Sequence, residues 1–236
     1  MNAYLLGAGN GLRLRPLTND FQKCLLPVFG KPILEWWLEA VFRSSCFDKV
    51  YVNIHHCADQ MEQWLFSYLT RTGNMVKIID ERTKLLGTAG TLYWHGDTDS
   101  DFMVVYTDTF SEMFFNMIPQ TIESFHKMPL ESVAGIATFD PPNDSSAACM
   151  TTDFTGKVVE FREKVNFGSL AWAGILFGRK SFFEHIRDSD TDIATDVLPR
   201  LCGKMRVLCH VDAYDIGRGL KSYEHFNRNF PKTVQR

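Results

Sequence analysis

Gly7, Gly9 and Gly11, followed at once by Arg13 and Arg15, are the first chemistry the chain offers. Glycines at that spacing let backbone N–H groups come close to a polyphosphate, and arginines just beyond can neutralise its charge. The stretch Leu6-Gly7-Ala8-Gly9-Asn10-Gly11 therefore reads either as a phosphate-binding loop or as a plain exit from a strand. It matches neither common nucleotide fingerprint: no helical pattern follows the glycines, and the Gly-Lys-Ser/Thr ending of a P-loop is missing. Further along, Val104-Val105-Tyr106-Thr107-Asp108 runs an apolar segment into an acid. A carboxylate at the carboxyl edge of a parallel sheet sits where ligands bind in open α/β folds, which makes Asp108 a candidate site residue. The adjacent His55 and His56 read as metal ligands or as polar residues ending a strand; nothing within reach has ligand spacing, which favours the second reading. Cys24, Cys46, Cys57, Cys149, Cys202 and Cys209 form neither a CxxC pair nor a zinc-spaced cluster, so they are expected to be reduced thiols, mostly in the core.

These residues need a scaffold, and the hydrophobic pattern supplies one. Residues 3–7 form a short apolar run that ends in glycine, as a buried strand feeding a loop does. Pro32 suits the first position of a helix, with Ile33, Trp37, Ala40 and Val41 along one stripe. Residues 49–54 alternate as a strand. Cys57, Met61, Trp64, Leu65 and Tyr68 then keep helical spacing to about Arg71, and 75–79 and 102–106 read as buried strands. Strands alternating with helices imply a largely parallel sheet covered on both faces. The second half differs: 133–139, 148–152, 158–162 and 171–177 are strand-like runs with short connections, which points to an antiparallel portion. Helical patterns return at 181–187 and 193–201, followed by a strand at 207–211 and an amphipathic end at 221–229. The expected fold is α/β and Rossmann-like, a mixed, mainly parallel sheet flanked by helices with an antiparallel portion in the second half, in one domain over 1–236.

Composition narrows the classes. Apolar residues make up 45% of the 236 and charged residues 22%, with 19 Phe and 5 Trp, which is globular and excludes a disordered chain. No apolar run approaches the ~18–20 residues of a membrane span, and no basic leader with a small-residue cleavage site opens the chain, so a cytoplasmic protein is expected. The net charge of −3, without a long basic run, argues against nucleic-acid binding through the phosphate backbone.

A second block follows the glycine loop: Gln22-Lys23-Cys24-Leu25-Leu26-Pro27-Val28-Phe29-Gly30-Lys31-Pro32-Ile33. Together with Arg13-Leu14-Arg15-Pro16-Leu17-Thr18 it resembles the signature of the sugar-1-phosphate nucleotidylyltransferases, a glycine-rich loop, Arg-Leu-x-Pro-Leu-Thr, then Lys-x-Leu-Leu-Pro-Val-x-Gly-Lys-Pro. The resemblance implies that Leu6, Gly7, Gly9, Asn10 and Gly11 wrap a triphosphate, that Arg13 contacts the phosphates being transferred, and that Lys23 reaches them from beyond the loop. It extends along nearly the whole chain. Glu81 and Leu86-Gly87-Thr88-Ala89-Gly90-Thr91 are similar to the family's base-recognition loop, which implies Glu81, Gly87 and Thr88 at the nucleotide; Thr88 is equally placed to cap the helix that follows. Glu163-Lys164, followed by Ala171-Trp172-Ala173-Gly174, is similar to the acceptor block. That implies Glu163 on sugar hydroxyls, Lys164 on the sugar phosphate, and Ala173 and Gly174 leaving room for the ring. Tyr214-Asp215-Ile216-Gly217-Arg218 resembles the family's second acidic site, which implies that Asp215 joins Asp108 in holding Mg2+ with waters and phosphate oxygens. Asp196-Val197-Leu198-Pro199 matches a further block and is read as structural. The chain departs from the pattern at Leu12, in the usual Thr/Ser position, at Thr107, where Gly, Asn or Ala is usual, at Val165, which replaces a proline, and at Trp172, where a smaller polar residue is common.

What the resemblance implies is transfer of a nucleoside monophosphate from a nucleoside triphosphate to a sugar 1-phosphate, with Arg13, Lys23 and Asp108 as the catalytic set. Residues 1–130 or so would hold the nucleotide and about 131–236 the sugar phosphate. The Leu-Gly-Thr-Ala-Gly loop and short chain look most like guanylyltransferases for mannose or heptose 1-phosphate. Two other readings stay open: a cytidylyltransferase for a phosphorylated non-sugar such as choline phosphate, and a catalytically silent regulatory relative. The expected partners are the two substrates, with no nucleic acid and no membrane, and a homodimer is left open.

Overall fold

The computed structural model describes residues 1–141, 147–163, 168 and 170–229. The chain enters through β1 (Asn2–Leu6), buried along its whole length, which is why it reads as an apolar run from Ala3 on. After the glycine loop come two single 3-10 turns, Leu12–Leu14 and Lys23–Leu25. A small ribbon of β2 (Pro27–Val28) and β3 (Lys31–Pro32) turns at Phe29 and Gly30, both with positive φ. Pro32 then precedes α1 (Ile33–Ser44) as its N-cap rather than filling the first helical position. Alternation continues through β4 (Lys49–Ile54), α2 (Ala58–Thr72), β5 (Lys77–Asp80), α3 (Gly87–His95) and β6 (Phe102–Tyr106).

A two-residue strand, β7 (Thr109–Phe110), leads into α4 (Glu112–His126), which periodicity did not lead us to expect. Pro119 falls in its middle, where the ring removes a donor and normally breaks a helix. Two features outweigh it. The Ser111 hydroxyl caps the first turn by accepting Phe114 N at 3.1 Å, and Phe114, Ile118, Ile122 and Phe125 form one buried stripe.

The second half supplies β8 (Ala134–Phe139), β9 (Cys149–Thr152), β10 (Val158–Arg162) and β11 (Leu170–Gly178). The helices expected at 181–187 and 193–201 are instead a 3-10 segment, Lys180–His185, and a π turn, Ile193–Val197, that runs into a 3-10 turn, Leu198–Leu201. Pro199 and the brevity of these segments keep them from propagating as α-helix. β12 (Met205–His210), β13 (Tyr214–Asp215), a 3-10 turn at Ile216–Arg218 and α5 (Leu220–Asn229) complete the described chain.

Nine strands form one sheet in the order β10-β9-β11-β6-β1-β4-β5, with β8 pairing both β11 and β12. β1 is parallel to β4 and β6, and β4 to β5; β11 runs antiparallel to β6, β8 and β9. Side chains of β1 alternate: Ala3 and Leu5 enter a core shared with α1, α2 and α4, while Tyr4 and Leu6 enter a second core under α3 and the 193–201 turns. From β1 the chain steps outward to β4 and β5, then returns to β6 on the other side. Loops leaving β1 and β6 therefore diverge and leave a crevice at their carboxyl ends.

β11 widens that crevice. Ile175–Gly178 pair with β6, whereas Leu170 and Ala171 pair with β9, and the register against β8 shifts between Trp172 and Leu176. Gly174, at φ 72°, sits in the shift, where a Cβ would stand 3.0 Å from Thr109 Oγ1 and 3.2 Å from Tyr106 Cβ. The thiols are all free, but only Cys24 and Cys149 are buried, so the expectation of a mostly core set is corrected for the other four. Among the described residues no helix is long and apolar enough to cross a membrane.

Candidate active site

The glycine loop is held from behind by buried side chains. Asn53 Oδ1 accepts Gly7 N at 2.7 Å and Ala8 N at 3.2 Å, and Gln22 Nε2 donates to Gly7 O at 2.7 Å. Thr18 Oγ1 donates to Gly11 O at 2.7 Å, and the ring Nε2 of His56 lies 2.9 Å from Thr18 O. The Gly7 donor expected to face phosphate is thus spent on the protein. The N–H groups of Gly9, Asn10, Gly11 and Leu12 make no hydrogen bond among the described residues, and these are the donors the loop can offer a ligand. Gly11 must be glycine: φ is +61°, and a Cβ would meet Thr18 Cγ2 at 2.9 Å.

Glu81, expected at the nucleotide, does something else. Only 2% exposed, it accepts Thr91 Oγ1 at 2.5 Å, Asn53 Nδ2 at 3.1 Å and Leu86 N at 3.2 Å. It fixes the amide of Asn53, which in turn fixes the loop. Asn53 and Gln22 were not singled out from sequence. The available signal was a polar residue inside a buried strand, Asn53 in β4 at 4% exposure, because a buried polar group must find partners. The two histidines are explained the same way, each with a ring nitrogen against a carbonyl: His55 Nδ1 lies 2.7 Å from Glu81 O and His56 Nε2 2.9 Å from Thr18 O.

Gly87 and Thr88 do line the crevice. Gly87 has φ +77°, and a Cβ there would stand 2.2 Å from Thr191 O. Thr88 is not the cap of α3, whose N-cap is Leu86 without a side-chain bond. Its hydroxyl instead accepts Ile193 N at 2.8 Å and Tyr106 Oη at 2.9 Å and donates to Asp192 Oδ2 at 3.1 Å. Tyr106 and Asp192, also unanticipated, thereby tie the two halves of the chain together. Asp196 is structural as read, its Oδ2 accepting Thr191 N and Asp192 N, both at 2.8 Å.

The acids converge from opposite ends of the chain. β13 pairs antiparallel with β7, placing Asp215 opposite Thr109, and Ile216 N donates to Asp108 O at 2.9 Å. Lys23 Nζ donates to Asp108 Oδ2 at 2.5 Å, and Asp215 Oδ1 accepts Gly217 N at 2.7 Å. A Cβ on Gly217 would lie 2.6 Å from Asp108 Oδ2, 3.0 Å from Asp215 Oδ1 and 3.3 Å from Lys23 Nζ. All three charged groups therefore surround a space the size of one methyl group. Burial, and next the charge of Asp108, push the Asp215 carboxyl up to about 6, against the pull of Lys23 and the Gly217 N–H. Burial alone would lower Lys23, but the Asp108 carboxylate more than offsets it and the ammonium pKa rises.

The two carboxylates have one ammonium in direct contact, on Asp108, and Arg218 acts on Asp215 only from beyond hydrogen-bond reach. A divalent ion that keeps waters and takes phosphate oxygens fits such a pair, with Asp108 and Asp215 as its protein ligands. No cluster of three or more His, Cys, Asp or Glu among the described residues could form an all-protein cage.

Two cavities meet at this cluster and share Tyr106, Asp108 and Asp192 in their walls. One, of about 320 Å³, is lined by Leu6, Gly7, Gly9, Lys23, Gly87 and Thr88. The other, of about 210 Å³, is lined by Arg13, Glu163, Trp172, Ala173, Gly174 and Asp215. Arg13, expected on the triphosphate, thus faces the second cavity. Lys164 and Val165 lie outside the described residues. Trp172 is 6% exposed, donates from Nε1 to Ile175 O at 2.9 Å and stands edge-on to Tyr106 at 5.0 Å, so it forms a floor rather than an obstruction. Thr107 points inward, donating to Leu6 O at 2.8 Å, and does not narrow the crevice. Leu12 is 60% exposed.

Comparison with known proteins gives the chain a family and its fold solved counterparts. The chain is 29% identical over 220 residues to a UTP–glucose-1-phosphate uridylyltransferase of Synechocystis sp., covering 85% of this chain and 55% of that protein. It is 30% identical over 209 residues to mannose-1-phosphate guanylyltransferase 1 of Arabidopsis thaliana, covering 85% and 56%. The chain therefore spans a little more than half the length of these relatives. In fold it matches a Bacillus anthracis protein named for glucose-1-phosphate thymidylyltransferase activity and solved with sucrose, at TM-score 0.80 and 19% identity over 98% of this chain and 96% of that one. HddC from Yersinia pseudotuberculosis matches at TM-score 0.73 and 22% identity over 98% and 99%. With residues 2–230 matching the model of the nucleotidyl transferase family, the chain belongs to that family.

Proposed function

We propose that the protein transfers a nucleoside monophosphate from a nucleoside triphosphate to a sugar 1-phosphate and releases pyrophosphate. The observation that carries this reading is the convergence of Lys23, Asp108 and Asp215 where the two cavities meet. The reaction needs two phosphates side by side, each with its own pocket, and a charged centre between them. Residues 1–130 or so would hold the triphosphate, with Gly9–Leu12 N–H groups on its phosphates and Gly87 and Thr88 at the nucleoside. Residues from about 131 would hold the acceptor, with Glu163 on ring hydroxyls and the ring over Trp172, beside the opening left by Gly174.

An acceptor phosphate oxygen is already ionised near neutral pH, so no general base is needed for its attack on the α-phosphorus. What the chain supplies is alignment and charge. Lys23 neutralises charge on the phosphates, and Arg13, facing the acceptor cavity, does so on the attacking group. Mg2+ held by Asp108 and Asp215 would supply Lewis-acid stabilisation and a template for both phosphates. Within this reading we assign a guanine nucleotide with mannose or heptose 1-phosphate; relatives named for UTP and for mannose-1-phosphate guanylyl transfer are matched about equally well, at 29% and 30% identity.

A second reading, choline phosphate as acceptor, is favoured by one feature, the Tyr106 and Trp172 rings in a cavity that also holds Glu163 and Asp192. A single screen separates the readings: pyrophosphate release with Mg2+ for each of GTP, UTP, dTTP, CTP and ATP against mannose, heptose and glucose 1-phosphates and choline phosphate. GTP with mannose or heptose 1-phosphate is expected to give the highest rate. Release only from CTP with choline phosphate would replace the reading, and no release from any pair would leave a silent relative.

A further inference from the structure

Arg218 has no role in the chemistry described so far, yet its placement is unusual. It closes the 3-10 turn Ile216–Arg218 that presents Asp215 and Gly217, and it lines the acceptor cavity beside Arg13, Asp108 and Asp215. Its Nε is shut off from water without a hydrogen-bond partner among the described residues. A buried donor left without an acceptor costs free energy, and its persistence calls for a ligand that supplies one. Other arginines of the chain are used: Arg71 pairs with Glu35, Arg200 with Asp190, and Arg179 donates to the carbonyls of Ser132 and Met128. Arg218 makes no hydrogen bond or ion pair among the described residues.

We propose that Arg218 is a ligand of the acceptor's phosphate, acting with Arg13 as a two-arginine clamp; this rests on the transferase reading above. A phosphate entering the acceptor cavity meets Asp108, Glu163, Asp192 and Asp215, and the cations lining that cavity among the described residues are Arg13 and Arg218. Lys23 cannot serve both sides, because it is already held by Asp108 and lines the nucleotide cavity. The two arginine-bearing turns lie against each other: a Cβ on Gly219, next to Arg218, would stand 3.6 Å from Arg13 O. Arg218 is absent from the wall of the nucleotide cavity, so its contact is with the acceptor and not with the triphosphate. A planar guanidinium suits a phosphate better than an ammonium does, because it donates two parallel N–H bonds.

The test is steady-state kinetics on the full chain, wild type against Arg218→Gln and Arg218→Lys, with mannose 1-phosphate and glucose 1-phosphate as acceptors and GTP and UTP as donors. For Arg218→Gln, KM for the acceptor should rise about ten- to hundredfold, the effect of losing a charge-assisted bond, with KM for the triphosphate within about twofold. Arg218→Lys should fall between, since it keeps the charge and loses the fork. If wild type transfers and Arg218→Gln changes acceptor KM by less than about twofold, the clamp is wrong while the transferase reading stands. If both KM values rise together, Arg218 is a fold residue and the clamp is again wrong. Should Arg218→Gln not fold, Arg218→Lys decides, an acceptor KM equal to wild type counting against the clamp. A wild type inactive with every donor and acceptor of the pyrophosphate-release screen above overturns both readings.

Discussion

Asp215→Asn should stabilise the ligand-free protein while removing its activity. In the fold, burial and the facing charge of Asp108 raise the Asp215 pKa from an ordinary 3.8 to about 6. A folded-state pKa above the unfolded one means that the carboxylate form is penalised in the fold. The penalty is absent below about pH 4, grows as pH rises toward 6 and stays constant above it. Two pKa units correspond to about 3 kcal/mol, and because Lys23 shares the cluster we take about 1–3 kcal/mol as the cost at pH 8. Asparagine removes the charge but keeps an oxygen for Gly217 N, which Asp215 Oδ1 now holds at 2.7 Å. For a chain of this length that predicts a rise in Tm of about 2–10 °C at pH 8. The assay is thermal unfolding in chelator at pH 8 and at successively lower pH, where the gain should shrink toward zero near pH 4. An equal or lower Tm at pH 8, or a gain independent of pH, would refute the assigned electrostatics.

Lys23→Ala should lower kcat by roughly 10²–10³ without unfolding the chain, since the ammonium faces Asp108 and the cavity proposed to take the phosphates; near-normal turnover in the transfer assay would remove it from the proposed catalytic set. Glu81→Gln turns its new NH2 either toward Leu86 N or toward both Asn53 Nδ2 and Thr91 Oγ1, so at least one donor faces a donor, at a cost of about 1–3 kcal/mol. The expected result is a lower Tm together with a KM that rises more for triphosphate than for acceptor; an unchanged triphosphate KM would disconnect Glu81 from the loop. Gly217→Ala puts a methyl 2.6 Å from Asp108 Oδ2 and must part the two carboxylates. The Mg2+ concentration giving half-maximal rate should rise at least about tenfold, and an unchanged magnesium requirement would show that the pair does not hold the ion.

The cluster of Lys23, Asp108 and Asp215 was legible because its members sit in local sequence contexts that announce themselves. Asp108 ends an apolar strand, Lys23 and Asp215 lie in long signature blocks, and the glycines precede two arginines. What was not legible depends on pairing across distance. Asn53 reads as one polar residue in a strand until Glu81 is seen 28 positions away holding its amide. Thr88 reads as a cap until Asp192, 104 positions on, takes its hydroxyl. The alternating half of the sheet followed from periodicity, but α4 did not, since Pro119 argues locally against a helix that Ser111 and a buried aromatic stripe sustain. That Arg13 lines the smaller of the two cavities was not legible either, because motif order does not encode which wall a flexible side chain faces.

The divided loyalty of β11 has a consequence for how the cavity beside it can change shape. Its last residues are stitched to β6 and its first to β9, so the strand is pinned at both ends like a bridge deck on two piers. It can flex at Gly174, but a slip of one residue would carry Trp172 from the cavity face into the opposite core. Side chains at 172 and 173 can therefore be exchanged one at a time, reshaping the cavity they line while the anchored ends keep the charged centre in place.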